Sequence, residues 1–439
     1  MRREALNDLD LGIGKGEGSV GGSSKIARPL GAFEHLFWLA DQHRPLHFTV
    51  TAEIEGKTKP DDWRLALDRA QTRHPLLSVS IADLASDPHF VLHAGVRIPL
   101  RVVEARDPSL SWQAEASEEL ARPFESRNPP LARAVLVHGS DQAAFILALH
   151  HSIGDGMAAS YVIRDVLAAL AGEDLAPLPL SPSQEELALV ALDALAASET
   201  GDELQQEQAG AASSYRPRDG VRPTVRGLGL PKTFTEKLRN RARREGTTVH
   251  GALLAALAIV GTGVSPHWRG VPIRVLSPIN VRGALGAGED CGLFVGAATN
   301  GLDSGDFDGS PARFWNLARH AKAGVASGQT EQGIVTVVSA LQQVVENRPD
   351  VAAVAEFVSQ AFAHEAVLSN LGQLPFGSRF GHLKLTSVWG PSVLGGFDGE
   401  QTVGVATVEG RLFLTHTSYT PPMGFLEEMQ KTLVEACAS

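Results

Sequence analysis

His150-His151-Ser152-Ile153-Gly154-Asp155-Gly156 is the stretch whose reading decides the fold. It ends an apolar run, AAFILALHH over 143–151, with the length and content of a buried strand. After it, Val162, Ile163, Val166, Leu167 and Leu170 recur at helical spacing, and Gly172 reads as the helix C-cap. The motif therefore sits on a turn between a strand and a helix. A strand end delivers a side chain to a fixed point, and a histidine there can act as a general base near neutral pH. Gly156 lets the backbone turn sharply and come close to a ligand. Neighbouring strand residues point to opposite faces, so His150 and His151 cannot readily share one ion. No third zinc-like ligand lies nearby, and no metal site is expected. The bland alternative is a histidine pair satisfied at a sheet edge.

The rest of the chain narrows the setting. It has 439 residues, 43% hydrophobic and 20% charged, the composition of a folded chain of two or three domains. A net charge of −11 provides no general attraction for nucleic acid or anionic membrane. The two cysteines, Cys291 and Cys437, have neither metal-ligand nor redox spacing. The longest apolar stretch, 252–264, is interrupted by Gly261, Thr262 and Gly263 and falls short of the ~20 residues that span a bilayer. The start lacks the apolar core of a secretory signal. These features predict a cytoplasmic protein without a transmembrane segment.

Four regions follow from composition and periodicity. Residues 1–25, glycine-rich and without aromatics, read as a flexible lead-in. Residues 26–178 hold the first mixed α/β half with the histidine motif. Residues 179–228, rich in Pro, Gln, Ala and Ser, read as a crossover linker with one helix at 184–197. Residues 229–439 form the second half. In it, helices are predicted at 233–245, capped by Thr233 or Thr235, and at 249–260, buried on all sides. Strands are predicted at 271–277, 292–300, 365–370, 381–388, 401–408 and 411–417.

The histidine motif resembles that of the HHxxxDG acyltransferase superfamily. This group includes chloramphenicol acetyltransferase, condensation domains of peptide synthetases and polyketide-associated acyltransferases. Weaker segments follow in matching order. Leu30 to Phe37 resembles the opening of the polyketide-associated branch, and Arg73-His74-Pro75-Leu76-Leu77 resembles its helix-ending turn. Ser277-Pro278-Ile279-Asn280-Val281-Arg282, followed by Gly292-Leu293-Phe294, is similar to the family's arginine segment and next strand. Ser369-Asn370-Leu371-Gly372 and the closing strand from Gly410 complete the series. The late Asp-Phe-Gly-Trp-Gly element of plant alcohol acyltransferases is absent, as is the Asp-x-x-x-x-Asp replacement found in heterocyclising condensation domains.

The resemblance implies a mixed α/β fold: two chloramphenicol-acetyltransferase-like sandwich halves forming a pseudo-dimer with a tunnel between them. It implies an acyl-CoA or phosphopantetheine thioester as co-substrate, with no bound cofactor. The acceptor is a small-molecule hydroxyl and the product an ester of a secondary metabolite or lipid. His151 is the implied base and Gly156 an aid to the oxyanion. Asp155 would pair with Arg282 to hold the loop, and His150 would be structural. Ser369 and Asn370 would face substrate, although Asn370 can equally form a turn. An acyl carrier protein is a possible partner, and the basic helix carrying Arg239, Arg241, Arg243 and Arg244 is either a solvated face or a docking surface for it. Two other readings stand beside this one: a stand-alone condensation enzyme forming an amide on an amine, and a non-catalytic carrier-protein-binding relative. His364 and His416 are left as core or surface residues.

Overall fold

The computed structural model describes residues 23–84, 87–188, 211–265, 268–269, 271–305 and 307–438. Residues 1–22 of the expected lead-in and most of the expected helix at 184–197 lie outside them. The strands are β1 (Ser24–Pro29), β2 (Phe48–Glu55), β3 (Val79–Asp83), β4 (Pro88–His93), β5 (Leu100–Glu104), β6 (Ala132–His138), β7 (Gln142–Leu149), β8 (Thr224–Gly229), β9 (Ile273–Asn280), β10 (Val295–Leu302), β11 (Ala366–Gln373), β12 (Arg379–Phe380), β13 (Leu383–Ser392), β14 (Gln401–Val408) and β15 (Arg411–Ser418). They form two six-stranded sheets, ordered β12-β13-β2-β7-β6-β5 and β10-β9-β11-β14-β15-β8, and a small sheet β1-β4-β3.

The first sheet is built on β7. Its side chains alternate between two apolar layers, as a period of two requires. Ala143, Phe145, Leu147 and Leu149 join the main core, where Trp63 stacks on Phe145 with ring centroids 5.2 Å apart. Ala144 and Ile146 face the other way, against Trp112, Ala116 and Leu120 of the helix Pro108–Leu120. Burial on both faces explains why β7 reads as a continuous apolar run rather than an alternating one. The helices Pro60–Arg73 and Gly156–Leu170 pack together on the core side.

The second sheet shares its layers between two cores. Val403, Val405, Leu412 and Leu414 pack on the helices Val249–Val264, Pro311–Ala326 and Phe425–Ala436. From the opposite face, Ala406, Val408 and Phe413 enter the core of the first half. The helix Val249–Val264 is apolar all round and buried along most of its length, as its sequence predicts. Thr248 caps it by accepting from the Gly251 N–H at 3.0 Å. No single helix among the described residues is long and apolar enough to cross a membrane.

Several boundaries differ from the sequence reading. Ser24 and Lys25, placed in the lead-in, belong to β1. The expected linker at 179–228 ends inside β8, which pairs with β15 from Ser418↔Thr224 to Phe413↔Gly229. Its first residues are a strap rather than a spacer. Gln184 accepts from the Val295 N–H at 2.8 Å and donates to the Val295 carbonyl at 3.2 Å, while Arg28 donates to the Ser181 carbonyl. The expected strand at 381–388 is real but does not stay in its own half. β13 pairs antiparallel with β2, from Lys384↔Glu55 to Ser392↔Thr49, and so extends the first sheet.

The cap expected at Thr233 or Thr235 is also corrected. The helix Lys232–Arg244 starts at Pro231, and the Thr235 hydroxyl instead donates to the Pro231 carbonyl and accepts from the Leu412 N–H. Helices at Glu331–Glu346 and Val351–Ala361 have no counterpart in the sequence reading. Their valines and isoleucine lower helix propensity and favour strands, so local preference pointed away from the conformation adopted.

The crossing of β13 brings backbone against backbone. A Cβ on Gly404 of β14 would lie 2.3 Å from the Pro391 carbonyl oxygen and 2.6 Å from the Gly390 carbonyl carbon. Gly404→Ala is therefore expected to destabilise the protein by at least about 1–3 kcal/mol, the usual cost of overpacking. Urea unfolding midpoints measure this, and an unchanged midpoint would refute such a tight approach.

Candidate active site

The turn after β7 is fastened before it presents anything. His150 is fully buried. Its Nδ1 accepts from the Ser152 N–H at 3.1 Å, and its Nε2 lies 3.5 Å from Asp41 Oδ2. Burial alone would raise the Asp41 carboxyl pKa, but the His150 imidazole and the Leu46 N–H outweigh it and hold the group below the ordinary carboxylate range. The Ser152 hydroxyl donates to the Glu34 carbonyl at 2.9 Å. His150 and Ser152 thus pin the turn to the helix Ala32–His43.

That helix supplies the wall for the next residue. Phe37 stacks on the His151 ring with centroids 4.2 Å apart and planes 4° apart, and Phe48 of β2 closes a second side at 4.8 Å. The His151 Nδ1 is enclosed and makes no hydrogen bond of good geometry among the described residues, although the carbonyls of His151 and Gly154 lie near the ring, and the residue lines a cavity. Nε2 is then the nitrogen left to face that cavity. Desolvation by this apolar surround lowers the His151 pKa to about 4, against weaker opposing pulls from nearby carbonyls and Asp155. The ring is held as a neutral imidazole through the physiological range.

Asp155 closes the turn and opens the helix Gly156–Leu170. Its Oδ1 accepts from the Ala158 N–H at 2.8 Å as an N-cap. Its Oδ2 reaches the second half and accepts from the Phe294 N–H at 2.9 Å. Arg282 Nη2 lies 3.4 Å and 3.5 Å from the two oxygens. Arg282 is almost fully buried, and its fork donates more closely to the carbonyls of Gly288 and Gly292, at 2.8 and 2.7 Å. The Asp155–Arg282 pair exists, therefore, but as a long contact inside a larger junction. Cys291 completes it. Its N–H donates to His74 Nδ1 at 3.1 Å, and His74 Nε2 donates to Asp165 at 2.9 Å. Of the turn His74-Pro75-Leu76-Leu77, the histidine is the residue that carries this link.

The cavity that receives His151 is walled by both halves. Phe33, Phe37 and Phe48 come from the first, and Leu276, Val295, Val367 and Phe397 from the second. Its volume is about 170 Å³, close to the ~150 Å³ apolar cavity known to admit benzene. Gly156 lines it, and a Cβ there would meet Pro391 at 2.5 Å and Leu371 at 2.8 Å. Ser369 also lines it. Asn370 does not. Its Oδ1 accepts from the Gly372 N–H at 2.8 Å in a local turn, and it borders a separate cleft with His250 and Lys322, of which only Pro278 also lines the cavity. No group of three or more metal-ligating side chains gathers among the described residues.

Sequence reasoning passed over several wall residues. His364, left unassigned, lines the cavity with Nε2 3.2 Å from Glu400, which also accepts from the N–H groups of Gly395, Gly396 and Phe397. Only the fold brings these segments together, and no local pattern marks them. His416 is buried, bonded to Gln401 at 2.8 Å and stacked on Phe425, a packing role. The junction makes a direct prediction. Arg282→Met should cost roughly 3–5 kcal/mol, the penalty for breaking a buried charge pair, because it strips the carbonyls of Gly288 and Gly292 of their donor as well. Arg282→Lys should recover only part of it, since one ammonium cannot reproduce the fork. A loss below about 1 kcal/mol in denaturant titrations would mean that the junction is not structural.

Residues 38–188 match the Condensation domain family. Tyrocidine synthase 3 of Brevibacillus parabrevis is 28% identical over 259 residues, which cover 55% of this chain. The match spans only 4% of that relative's length. Among solved structures, polyketide synthase associated protein 5 of Mycobacterium tuberculosis superposes with a TM-score of 0.61 at 16% identity, covering 95% of this chain and 99% of that one. Trichothecene 15-O-acetyltransferase of Fusarium sporotrichioides superposes at 0.65 with 12% identity, covering 95% and 96%. The two-halved fold is therefore the one expected from the sequence resemblance. Part of the first half thus matches the Condensation domain family, about half of the chain is similar in sequence to peptide synthetases, and the whole is condensation-domain-like in fold.

Proposed function

We propose that the protein transfers an acyl group from a thioester, acyl-CoA or a carrier-protein-borne phosphopantetheine, to the hydroxyl of a small molecule. The observation that carries this reading is the His151 ring, clamped by Phe37 and Phe48 at a cavity walled by both halves, where the apolar surround lowers its pKa. Nε2 would take the hydroxyl proton as the oxygen attacks the thioester carbonyl. The electron pair of the C=O bond moves onto oxygen, and the tetrahedral intermediate collapses with cleavage of the C–S bond. The imidazolium returns the proton to the departing sulfur. No acyl-enzyme forms.

The other residues would act on geometry and charge. The Gly156 N–H, in the first turn of its helix, would donate toward the oxyanion. Asp155 and Arg282 would hold the turn, so that Nε2 stays within reach of the attacking group. The apolar walls would exclude water and with it hydrolysis of the thioester. Ser369 would contact substrate from the second half. The sequence match to peptide synthetases favours a second reading on the same machinery, in which an amine replaces the hydroxyl and the product is an amide.

Two measurements test this. Thiol release from acyl-CoAs and from acyl-loaded carrier protein should depend on an alcohol or amine acceptor. It should fall about 10²–10⁴-fold in His151→Ala. Mass spectrometry of the product decides between ester and amide, and equal release by both proteins with every donor would reject the reading. The second is the pH profile. Protonating the base stops the reaction, and its pKa is lowered to about 4. The expected kcat/KM is level from pH 7 to about 5 and falls only as pH approaches about 4. An acid limb near 6.5 would place the ring in water rather than between two phenylalanines.

A further inference from the structure

Arg44 lines both the cavity and a neighbouring cleft of about 800 Å³, which is walled among others by Trp38, Arg127, Arg216, Arg218 and Tyr419. Three guanidiniums gather there around the last turn of the helix Ala32–His43. Arg44 is its C-cap residue and donates to the Arg216 carbonyl at 2.9 Å. Arg218 donates to the His43 carbonyl. Arg216 lies across the Tyr419 ring at 3.8 Å and holds Asp219 in a two-point contact at 2.7 and 2.8 Å. That contact uses the carboxylate nearest in sequence. Among the described residues, Arg44 and Arg218 make no ion pair, and Arg44 Nε is buried with no acceptor. Of the cleft's other acids, Asp41 is engaged by His150 and the Leu46 N–H, and Glu125 is exposed.

Gathering like charges costs free energy. Burial lowers the Arg44 pKa, and the fields of Arg218 and Arg216 lower it further. The negative end of the helix offsets some of this. What remains is an excess of positive charge where the cavity meets the cleft, in a position to focus an anion. Arg44 lines both spaces, so a group bound at its guanidinium lies beside the cavity that His151 also lines.

We propose that this cleft is an anion-binding subsite, in which Arg44 and Arg218 receive the carboxylate or phosphate of a substrate whose reacting end lies at His151. The inference rests on the acyl-transfer reading and adds a substrate class to it. Two sources supply that chemistry: an acidic acceptor, or the phosphates of the thioester donor.

The test is thermal unfolding of the full chain in inorganic pyrophosphate against sodium chloride of equal ionic strength. Wild type should gain about 1–3 °C from pyrophosphate. Arg44→Gln and Arg218→Gln should lose that gain, and Arg97→Gln, which alters an exposed arginine paired with Asp68, should keep it. Equal gains in all four proteins overturn the subsite. Arg218 is exposed, so its variant preserves the test if Arg44→Gln folds poorly. CoA and pantetheine then separate the sources. If the extra gain from CoA also disappears in the two variants, the anion belongs to the donor. If it survives while the pyrophosphate gain is lost, the anion belongs to the acceptor. None of these readouts needs turnover, so a failure of His151-dependent thiol release would reject acyl transfer and leave the anion site measured.

Discussion

A single carboxylate, that of Asp155, joins the two halves at the point where they must agree. One oxygen caps the helix Gly156–Leu170 and the other receives the Phe294 N–H from the opposite half. A buried carboxylate is costly unless its lone pairs are filled, and here they are filled from both sides at once. Separating the halves would leave it without the Phe294 N–H and Arg282. The position of the turn, and hence of His151, is thereby coupled to the packing of two sheets. The link through His74, Cys291 and Asp165 ties the same loop down a second time.

Around His151 the controlling effect is desolvation rather than charge. Among the described residues the ring has no close carboxylate partner of the kind that orients many catalytic histidines. Phe37 and Phe48 hold it by contact instead, and the same contact keeps it neutral. A base of low proton affinity in the free protein gains affinity as negative charge develops beside it. In the proposed reaction this environment would favour proton uptake as the acceptor attacks over protonation at rest. His150 has the opposite surroundings: its ring is spent on Ser152 and Asp41 and helps fix the turn.

Local patterns made part of this legible. The β7 run, the turn and the helix after it form one uninterrupted stretch, so periodicity could place them. Asp155 and Arg282 are distant in sequence, and their pairing came from resemblance to a family; the structure adds that the arginine serves carbonyls more closely than the carboxylate. Ser369 reaches the cavity and Asn370 makes a turn, a difference of one residue along a strand that spacing alone could not resolve. The cavity wall at His364 and Glu400, and the arginines around Arg44, were not legible because their neighbours lie far apart in the chain. The β-branched helix Glu331–Glu346 was hidden for another reason: packing overrides its local preference.

The crossing of β13 bears on how the chain is made. During synthesis β2 emerges early, yet the strand that covers its edge lies at Leu383–Ser392. At the ribosomal pace of ~5–20 residues per second, the first sheet waits roughly 10–40 s with an open hydrogen-bonding edge between completion of its own half and arrival of its last strand. An uncovered strand edge invites pairing with other chains. Faithful assembly then depends on what protects β2 during that interval, and a protein cut before residue 383 would carry the hazard permanently.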